Sequence, residues 1–130
     1  MSGTLVLDSE GLSRTVLRDR LVMARLAQAG MDGMRVVTSA ATLVEARHPR
    51  MNQARFDWAV SRIVVEPVTE EVARSASELL VAQGLHGPKY AIDAMVAVTA
   101  LAARAPVAVL TSDPEDLTLL CGARVRVVSI

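Results

Sequence analysis

Short aliphatic runs alternate with helical patterns along the whole chain, and this alternation restricts the fold more than any other feature. The runs cover residues 4–7, 34–38, 63–65, 107–110 and 125–128. Between them, apolar residues at helical spacing predict helices over residues 14–29, 39–47, 50–61, 69–83 and 91–103, with a short helix beginning at Pro114. Strands that alternate with helices form parallel sheets covered by helices on both faces. The sequence therefore predicts an α/β fold with a central parallel sheet of about five strands.

The composition is that of one domain with an aliphatic core. The 130 residues are 52% hydrophobic, with one each of Phe, Trp and Tyr. A chain of this length buries most of its apolar surface without cross-links, and its single cysteine, Cys121, excludes an internal disulfide and suits a reducing compartment. We expect no signal peptide, because Asp8 comes too early, and no membrane span, because Asp93 and Arg104 interrupt the most apolar stretch. We expect a single cytoplasmic domain over residues 1–130.

Charge and motifs exclude several classes of function. The chain has 14 basic and 14 acidic residues, so it offers no global attraction for nucleic acid, and any such attraction must be local. It has no phosphate-binding glycine-rich loop and no nucleophile elbow of the G-x-S-x-G type. A single cysteine excludes thiolate zinc sites, and His48 and His86 lack a paired metal-ligand spacing, so each is expected at the surface or in a loop. Of the classes of function considered, one that relies on carboxylate side chains remains.

Five acidic residues stand at predicted strand ends or on adjoining helices, where few other polar groups occur: Asp8, Glu45, Asp93, Asp113 and Asp116. The loops of a parallel sheet gather over the carboxyl ends of its strands, so these residues can share a pocket. Two carboxylates about 4 Å apart repel by roughly 4 kcal/mol at an effective dielectric near 20. Such a cluster needs a cation or bound protons, and we interpret it as a divalent-metal site.

Each acid also has a structural interpretation. Asp8 could cap the helix after the first strand, and Glu45 could be a solvated helix residue. Asp113 could cap the last helix with Asp116 in its first turn, although capping and metal binding can coexist. Asp93 is the hardest to explain structurally, because it lies near the start of a very apolar helix.

Four segments containing these acids resemble, in the same order, the segments that characterise PIN domains: VLDS (residues 6–9), LVE (43–45), YAIDA (90–94) and LTSDPEDL (110–117). The group that they resemble most is the VapC-type toxins of bacterial toxin–antitoxin pairs, and the resemblance spans the whole chain. It implies a PIN-like three-layer sandwich with a five-stranded parallel sheet.

The resemblance also implies a Mg²⁺- or Mn²⁺-dependent ribonuclease whose catalytic metal ligands are Asp8, Glu45, Asp93 and Asp113, with Asp116 as a fifth acidic ligand. Thr111 is expected to orient a ligand or water. A metal at such a site can lower the pKa of a water and neutralise charge on the phosphodiester in the transition state. Relatives of this kind form homodimers inhibited by a small antitoxin. The chain is less basic than many RNA-cutting relatives, and whether one or two metal ions act stays open.

Other residues are candidates for contacting RNA or a partner. The candidates for the RNA backbone are Arg14, Arg47, Arg50 and Arg55, although a solvated helix face would explain each of them. Phe56 and Trp58 are candidates for a partner interface, because large aromatic side chains are enriched there. Core packing is the alternative explanation for Phe56 and for Trp58.

Two other functions stay open. A non-catalytic PIN-like scaffold would bind RNA or protein without cutting, but it has no electrostatic reason to keep its acids together. A receiver-like signalling domain also gathers acids over a parallel sheet. Such a domain requires adjacent acids after the first strand and a lysine after the last, whereas here Ser9 follows Asp8 and no lysine follows residue 110.

Overall fold

The computed structural model describes residues 3–130, which form a five-stranded parallel sheet with helices on both faces. The strands are β1 (Thr4–Leu7), β2 (Arg35–Ser39), β3 (Val64–Glu66), β4 (Val107–Thr111) and β5 (Arg126–Ser129). The helices are α1 (Ser9–Val16), α2 (Arg20–Met31), α3 (Ala40–Ala46), α4 (Gln53–Ser61), α5 (Glu70–Ala82), α6 (Ala91–Ala102) and α7 (Pro114–Cys121). The predicted α/β class and the number of strands are confirmed.

The order of the strands places the middle of the chain at the edge of the sheet. The order is β3-β2-β1-β4-β5, and every neighbouring pair is parallel. Leu7 pairs with Thr38 on one side and with Leu110 on the other, so the carboxyl ends of the three central strands lie together. The chain leaves β1 toward β2 and later returns to β4 on its opposite side. The border of β1 and β4 is therefore the switch point at which open α/β sheets bind ligands.

Alternating side chains of the central strands hold the three layers together. Val6 and Val109 pack against helices α5, α6 and α7 on one face of the sheet. Leu5, Leu7 and Leu110 point to the other face and pack with residues of α2. Because both faces of the strands are covered, the strands consist of continuous aliphatic residues.

A smaller apolar cluster joins three helices near the carboxyl end of the sheet. Leu12 of α1 packs with Ala46 of α3 and with Phe56 of α4. The Ser13 hydroxyl also donates a hydrogen bond of 2.9 Å to the Ala46 carbonyl oxygen. These contacts hold the start of α1 beside the end of α3, which carries Glu45.

The helix predicted over residues 14–29 is wrong, because the structure has two helices with a tight turn between them. Helix α1 ends at Val16, and Arg18 adopts a left-handed backbone with φ of 57°. The Asp19 side chain then caps α2 by accepting a hydrogen bond of 3.0 Å from the Val22 N–H. Apolar residues continue at helical spacing through the turn, so the sequence pattern does not show this break.

Other predicted boundaries differ less from the structure. Helix α4 begins at Gln53 with Asn52 as its cap, three residues later than predicted, whereas Ser39 and Thr69 cap α3 and α5 as expected. Cys121 is buried, and burial raises the pKa of its thiol to about 11, which agrees with a core role. Within residues 3–130, no helix has the length and hydropathy required to cross a bilayer.

We expect Leu12→Ala to lower the free energy of unfolding by about 3 kcal/mol, because Leu12 is fully buried between three helices. Leu17→Ala is the matched control, since Leu17 is 64% exposed and should change stability by less than about 0.5 kcal/mol. Urea unfolding of the two variants measures the difference. Equal destabilisation would contradict the packing of α1 against α3 and α4.

Candidate functional site: an acidic cleft at the switch point

The acidic cleft lies over the carboxyl ends of β1 and β4. Asp8 follows β1 directly, Asp113 lies two residues beyond β4, and Asp93 is in the first turn of α6. One carboxylate oxygen of each lies within 4.8 Å of those of the other two. Asp8 and Asp93 are 85 positions apart in the sequence (93 − 8), and Asp93 and Asp113 are 20 positions apart (113 − 93). The structure thus brings together three acids that are distant in the sequence.

Asp8 is held by two backbone N–H groups from different elements. Its Oδ1 accepts a hydrogen bond of 2.7 Å from the Gly11 N–H, and its Oδ2 accepts one of 3.1 Å from the Ser112 N–H. Burial raises the pKa of Asp8, the hydrogen bonds from Gly11, the Thr111 hydroxyl and Ser112 lower it, and the charge of Asp113 raises it again. The net direction is upward. Asp8 therefore caps α1, as the structural interpretation predicts, and also faces the other acids.

Asp113 occupies the N-cap position of α7, but its side chain makes no capping hydrogen bond. The Asp113 N–H donates a hydrogen bond of 2.8 Å to the Thr111 hydroxyl. The capping explanation of the Asp113 carboxylate is therefore wrong, and the side chain is exposed and available to a ligand. Thr111 is fully buried and connects the backbone of Asp113 with the carboxylate of Asp8.

Asp93 has the most perturbed acidity of the cluster. Burial, as the largest cause, and then the charges of Asp113, Asp8, Asp116 and Glu45 together raise its pKa from 3.8 to about 7. These four charges place all five predicted acids within electrostatic reach of one another. The site therefore favours a bound proton or a cation.

Glu45 and Asp116 stand around the three central acids. Glu45 lines the same cleft, of about 160 Å³, from the end of α3, and its side chain is exposed. Asp116 is half-buried in the first turn of α7 and acts on Asp93 through its charge. Both predicted residues are thus at this edge of the sheet, outside the group of three whose oxygens meet.

Sequence reasoning missed several residues that line the cleft, among them His48 and Ser9. His48, which was assigned to the surface or a loop, lies in the loop after α3 and is exposed, yet it also lines the cleft. Ser9 lines it too, although it is buried. A usable signal was that Ser9 adjoins Asp8 and His48 lies three residues beyond Glu45, so each is beside a predicted acid.

The four predicted arginines differ in their surroundings. The Arg14 Nε donates to the Glu10 carboxylate at 3.0 Å, and Glu10 is itself part of the cleft wall. Arg47, Arg50 and Arg55 are exposed, and none of them forms an ion pair with any acid in residues 3–130. Arg47 and Arg50 therefore lie unpaired on the α3–α4 connection, which also carries the cleft residue His48, and Arg55 lies in the first turn of α4, where it lines a separate cavity with Trp58.

The donor atoms suit a hard divalent cation. Carboxylate oxygens are what Mg²⁺ and Mn²⁺ prefer, and no thiolate or paired imidazole is present among the three clustered residues. The uncapped Asp113 carboxylate and the raised pKa of Asp93 both indicate that the protein alone does not satisfy the charge of the cluster.

The comparison with solved structures identifies the fold. A chain in the crystal structure of VapBC2 from Rickettsia felis bound to a DNA fragment from its promoter matches with a TM-score of 0.73 and 14% sequence identity. A chain in the crystal structure of DNA-bound VapBC from Salmonella typhimurium matches with a TM-score of 0.70 and 20% identity. Each match covers 98% of both chains. No protein-family model matches the chain, and no curated protein does. The predicted PIN-like fold is confirmed, and the predicted resemblance to VapC is confirmed at the level of the fold.

Without metal, the protein should lose stability as the pH rises from 5 to 8. The pKa of Asp93 is raised from 3.8 to about 7, so the native state binds this proton more tightly than the unfolded chain does. The resulting stabilisation is complete below pH 3.8 and is lost as the pH passes about 7. Thermal unfolding in EDTA across this range measures the loss.

Asp93→Asn, which cannot ionise, should unfold at pH 8 about 4 °C above the wild type, the shift that roughly 1 kcal/mol gives in a domain of this size. Asp57→Asn is the control, because Asp57 is exposed on α4 and should leave the pH dependence unchanged. A decline as steep in Asp93→Asn as in the wild type would show that other groups cause it.

Proposed function

We propose that residues 1–130 are a single PIN-like domain that acts as a metal-dependent endoribonuclease, and that it is the toxin of a toxin–antitoxin pair. The observation that carries this proposal is the meeting of Asp8, Asp93 and Asp113 within 4.8 Å at the switch point of the sheet. A purely structural role does not account for it, since the Asp113 carboxylate caps nothing. The fold shared with chains of two VapBC crystal structures supports the same function.

In this proposal Mg²⁺ or Mn²⁺ is held by Asp8, Glu45, Asp93 and Asp113, with Asp116 as a fifth acid. The three central acids supply the closest oxygen donors, and Glu45 faces them across the cleft. Asp116 and Glu45 both add to the negative potential at Asp93, which draws a cation to this position. Mg²⁺ needs few protein ligands, because it keeps several of its waters.

The bound ion would lower the pKa of a water and neutralise charge that develops on the phosphodiester during hydrolysis. The residues of the chain hold the geometry for this reaction. The Gly11 and Ser112 N–H groups fix the orientation of the Asp8 carboxylate. Thr111 orients both sides of the site, because it accepts from the Asp113 N–H and acts on Asp8. Rigid placement of this kind is what gives electrostatic catalysis its strength.

RNA would approach along the wall formed by the α3–α4 connection. Arg47, Arg50 and Arg55 are free to bind phosphates there, because no acid of the described chain neutralises them. Arg14 would bind RNA only after exchanging its Glu10 partner. A local set of arginines supplies the attraction that a net charge of zero does not.

We further propose that this cytoplasmic protein forms a homodimer and binds a small antitoxin. Of the two aromatic candidates for an interface, Phe56 is 7% exposed and belongs to the core, whereas Trp58 is 56% exposed. The guanidinium groups of Arg18 and Arg62 lie 5.8 and 5.4 Å from the centre of the Trp58 ring. An exposed tryptophan beside two cations suits an apolar segment that carries acidic residues.

The purified protein should cleave a mixed, structured RNA pool in Mg²⁺ or Mn²⁺ and should not cleave it in EDTA. Asp93→Asn should lower the rate at least about a hundredfold, because it removes a charged oxygen donor from the centre of the cluster. The measurement is the initial rate of RNA cleavage with each metal.

Asp57→Asn is the control for cleavage and should retain the wild-type rate, since Asp57 lies on the solvent face of α4. Thermal unfolding adds a second readout, because a metal that binds only the native state raises its melting temperature. Mg²⁺ should stabilise the wild type and not Asp93→Asn. Stabilisation without cleavage would support the scaffold, and cleavage that survives in Asp93→Asn would indicate a contaminating nuclease.

Expression of the chain in a bacterial host should arrest growth, and Asp93→Asn should not, because arrest requires the intact site. Co-expression of a small protein encoded beside the gene should restore growth by occupying the cleft. Trp58→Ala should weaken that rescue without changing the arrest itself. Unimpaired growth with a folded wild-type chain that cleaves RNA would separate the nuclease from the toxin role.

A further inference from the structure

Ser9 carries a buried hydroxyl that has no partner. Among the side-chain polar atoms buried within residues 3–130, its Oγ alone makes no hydrogen bond. Ser9 is 8% exposed, yet it lines the acidic cleft beside Asp8 and Asp93. Leaving a buried hydroxyl unpaired costs stability, so an unpaired hydroxyl in a cleft wall indicates a group that enters from outside.

The same position is the start of helix α1, where backbone N–H groups are also free. The Gly11 N–H donates to the Asp8 carboxylate, and the Leu12 N–H donates to the Asp8 carbonyl oxygen. No acceptor within the described chain takes the N–H of Ser9 or of Glu10. The first turn of α1 therefore presents two amide donors and one hydroxyl at the positive end of a helix, which favours anions.

We propose that Ser9, with its own N–H and that of Glu10, binds a non-bridging oxygen of the phosphodiester that enters the acidic cleft. This inference rests on the proposed function and extends it by assigning a phosphate subsite beside the carboxylates. The Asp8 carboxylate belongs to the group of three clustered acids and Ser9 is the next residue, so a phosphate bound at Ser9 would lie beside a cation held by these acids. These three donors give a phosphate hydrogen-bond partners in a cleft whose lining also includes five acidic residues.

Dimethyl phosphate is a suitable probe, because it is a phosphodiester without base or ribose. Titration into the full chain in the presence of Mg²⁺ should shift the amide NMR signals of Ser9 and Glu10. Ser9→Ala should weaken this binding about tenfold, the loss expected for one hydrogen bond to a charged group. Ser9→Thr retains the hydroxyl and should bind the probe more tightly than Ser9→Ala does.

Ser77→Ala is the matched control, because Ser77 is exposed on α5 and should leave binding unchanged. Stability separates a binding role from a structural one. Ser9→Ala should unfold at the same temperature as the metal-free wild type or higher, since it removes an unpaired buried hydroxyl. A clear fall in melting temperature together with unchanged probe binding would assign Ser9 a structural role and overturn the proposal.

Failure of the phosphate subsite and failure of the proposed nuclease function give different results. Probe binding at Ser9 in a chain that cleaves no RNA would retain the phosphate subsite and reject the nuclease. Two results together would reject the subsite and retain the nuclease. Ser9→Ala would cleave RNA at the wild-type rate, and the Ser9 and Glu10 amides of the wild type would not respond to the probe. A tenfold rise in KM in Ser9→Ala, at similar kcat, is the result expected where both hold.

Discussion

The two hydrogen bonds to the Asp8 carboxylate are the interaction on which the architecture of the cleft depends. One comes from the start of α1 and the other from the residue after β4, so a single side chain joins two elements that are about 100 residues apart in the chain. Replacement of either donor element would move the carboxylate. The same carboxylate is 2% exposed, which makes its hydrogen bonds necessary for its burial as an anion.

The acids around Asp8 repel one another, which lowers the stability of the fold without a ligand and favours the binding of a cation. The raised pKa of Asp93 shows that the native fold resists ionisation of this carboxyl group beside its acidic neighbours. A cation bound at the cluster would remove this repulsion, and would therefore bind the folded state in preference to the unfolded one. Sites that keep such repulsion are commonly those at which a ligand supplies the missing charge.

The sequence was sufficient to predict the sheet, because five aliphatic runs separated by helical patterns leave few topologies other than a parallel α/β fold. It was not sufficient at Arg18, where the chain turns without a glycine or proline to mark the break between α1 and α2. The sequence also could not show whether the Asp113 carboxylate caps α7. Aspartate is favoured at an N-cap position, and Asp113 occupies that position whether or not its side chain makes the capping hydrogen bond. In the structure the Thr111 hydroxyl accepts the Asp113 N–H, and the Asp113 carboxylate makes no capping hydrogen bond.

The neutral net charge of the chain becomes intelligible when its charges are placed in space. Five of the 14 acidic residues line one cleft, whereas Arg47 and Arg50 are exposed on the connection between α3 and α4 and Arg55 is exposed in the first turn of α4. Under the proposed nuclease function, RNA phosphates would contact these arginines, and only a bound cation would make their approach to the carboxylates favourable. Because surface charges are screened over about 8 Å at physiological ionic strength, attraction and repulsion on this scale remain local and do not cancel. Under the same proposal, a chain with no net attraction for nucleic acid would bind RNA at the arginines and, without metal, would repel it from the acidic cleft.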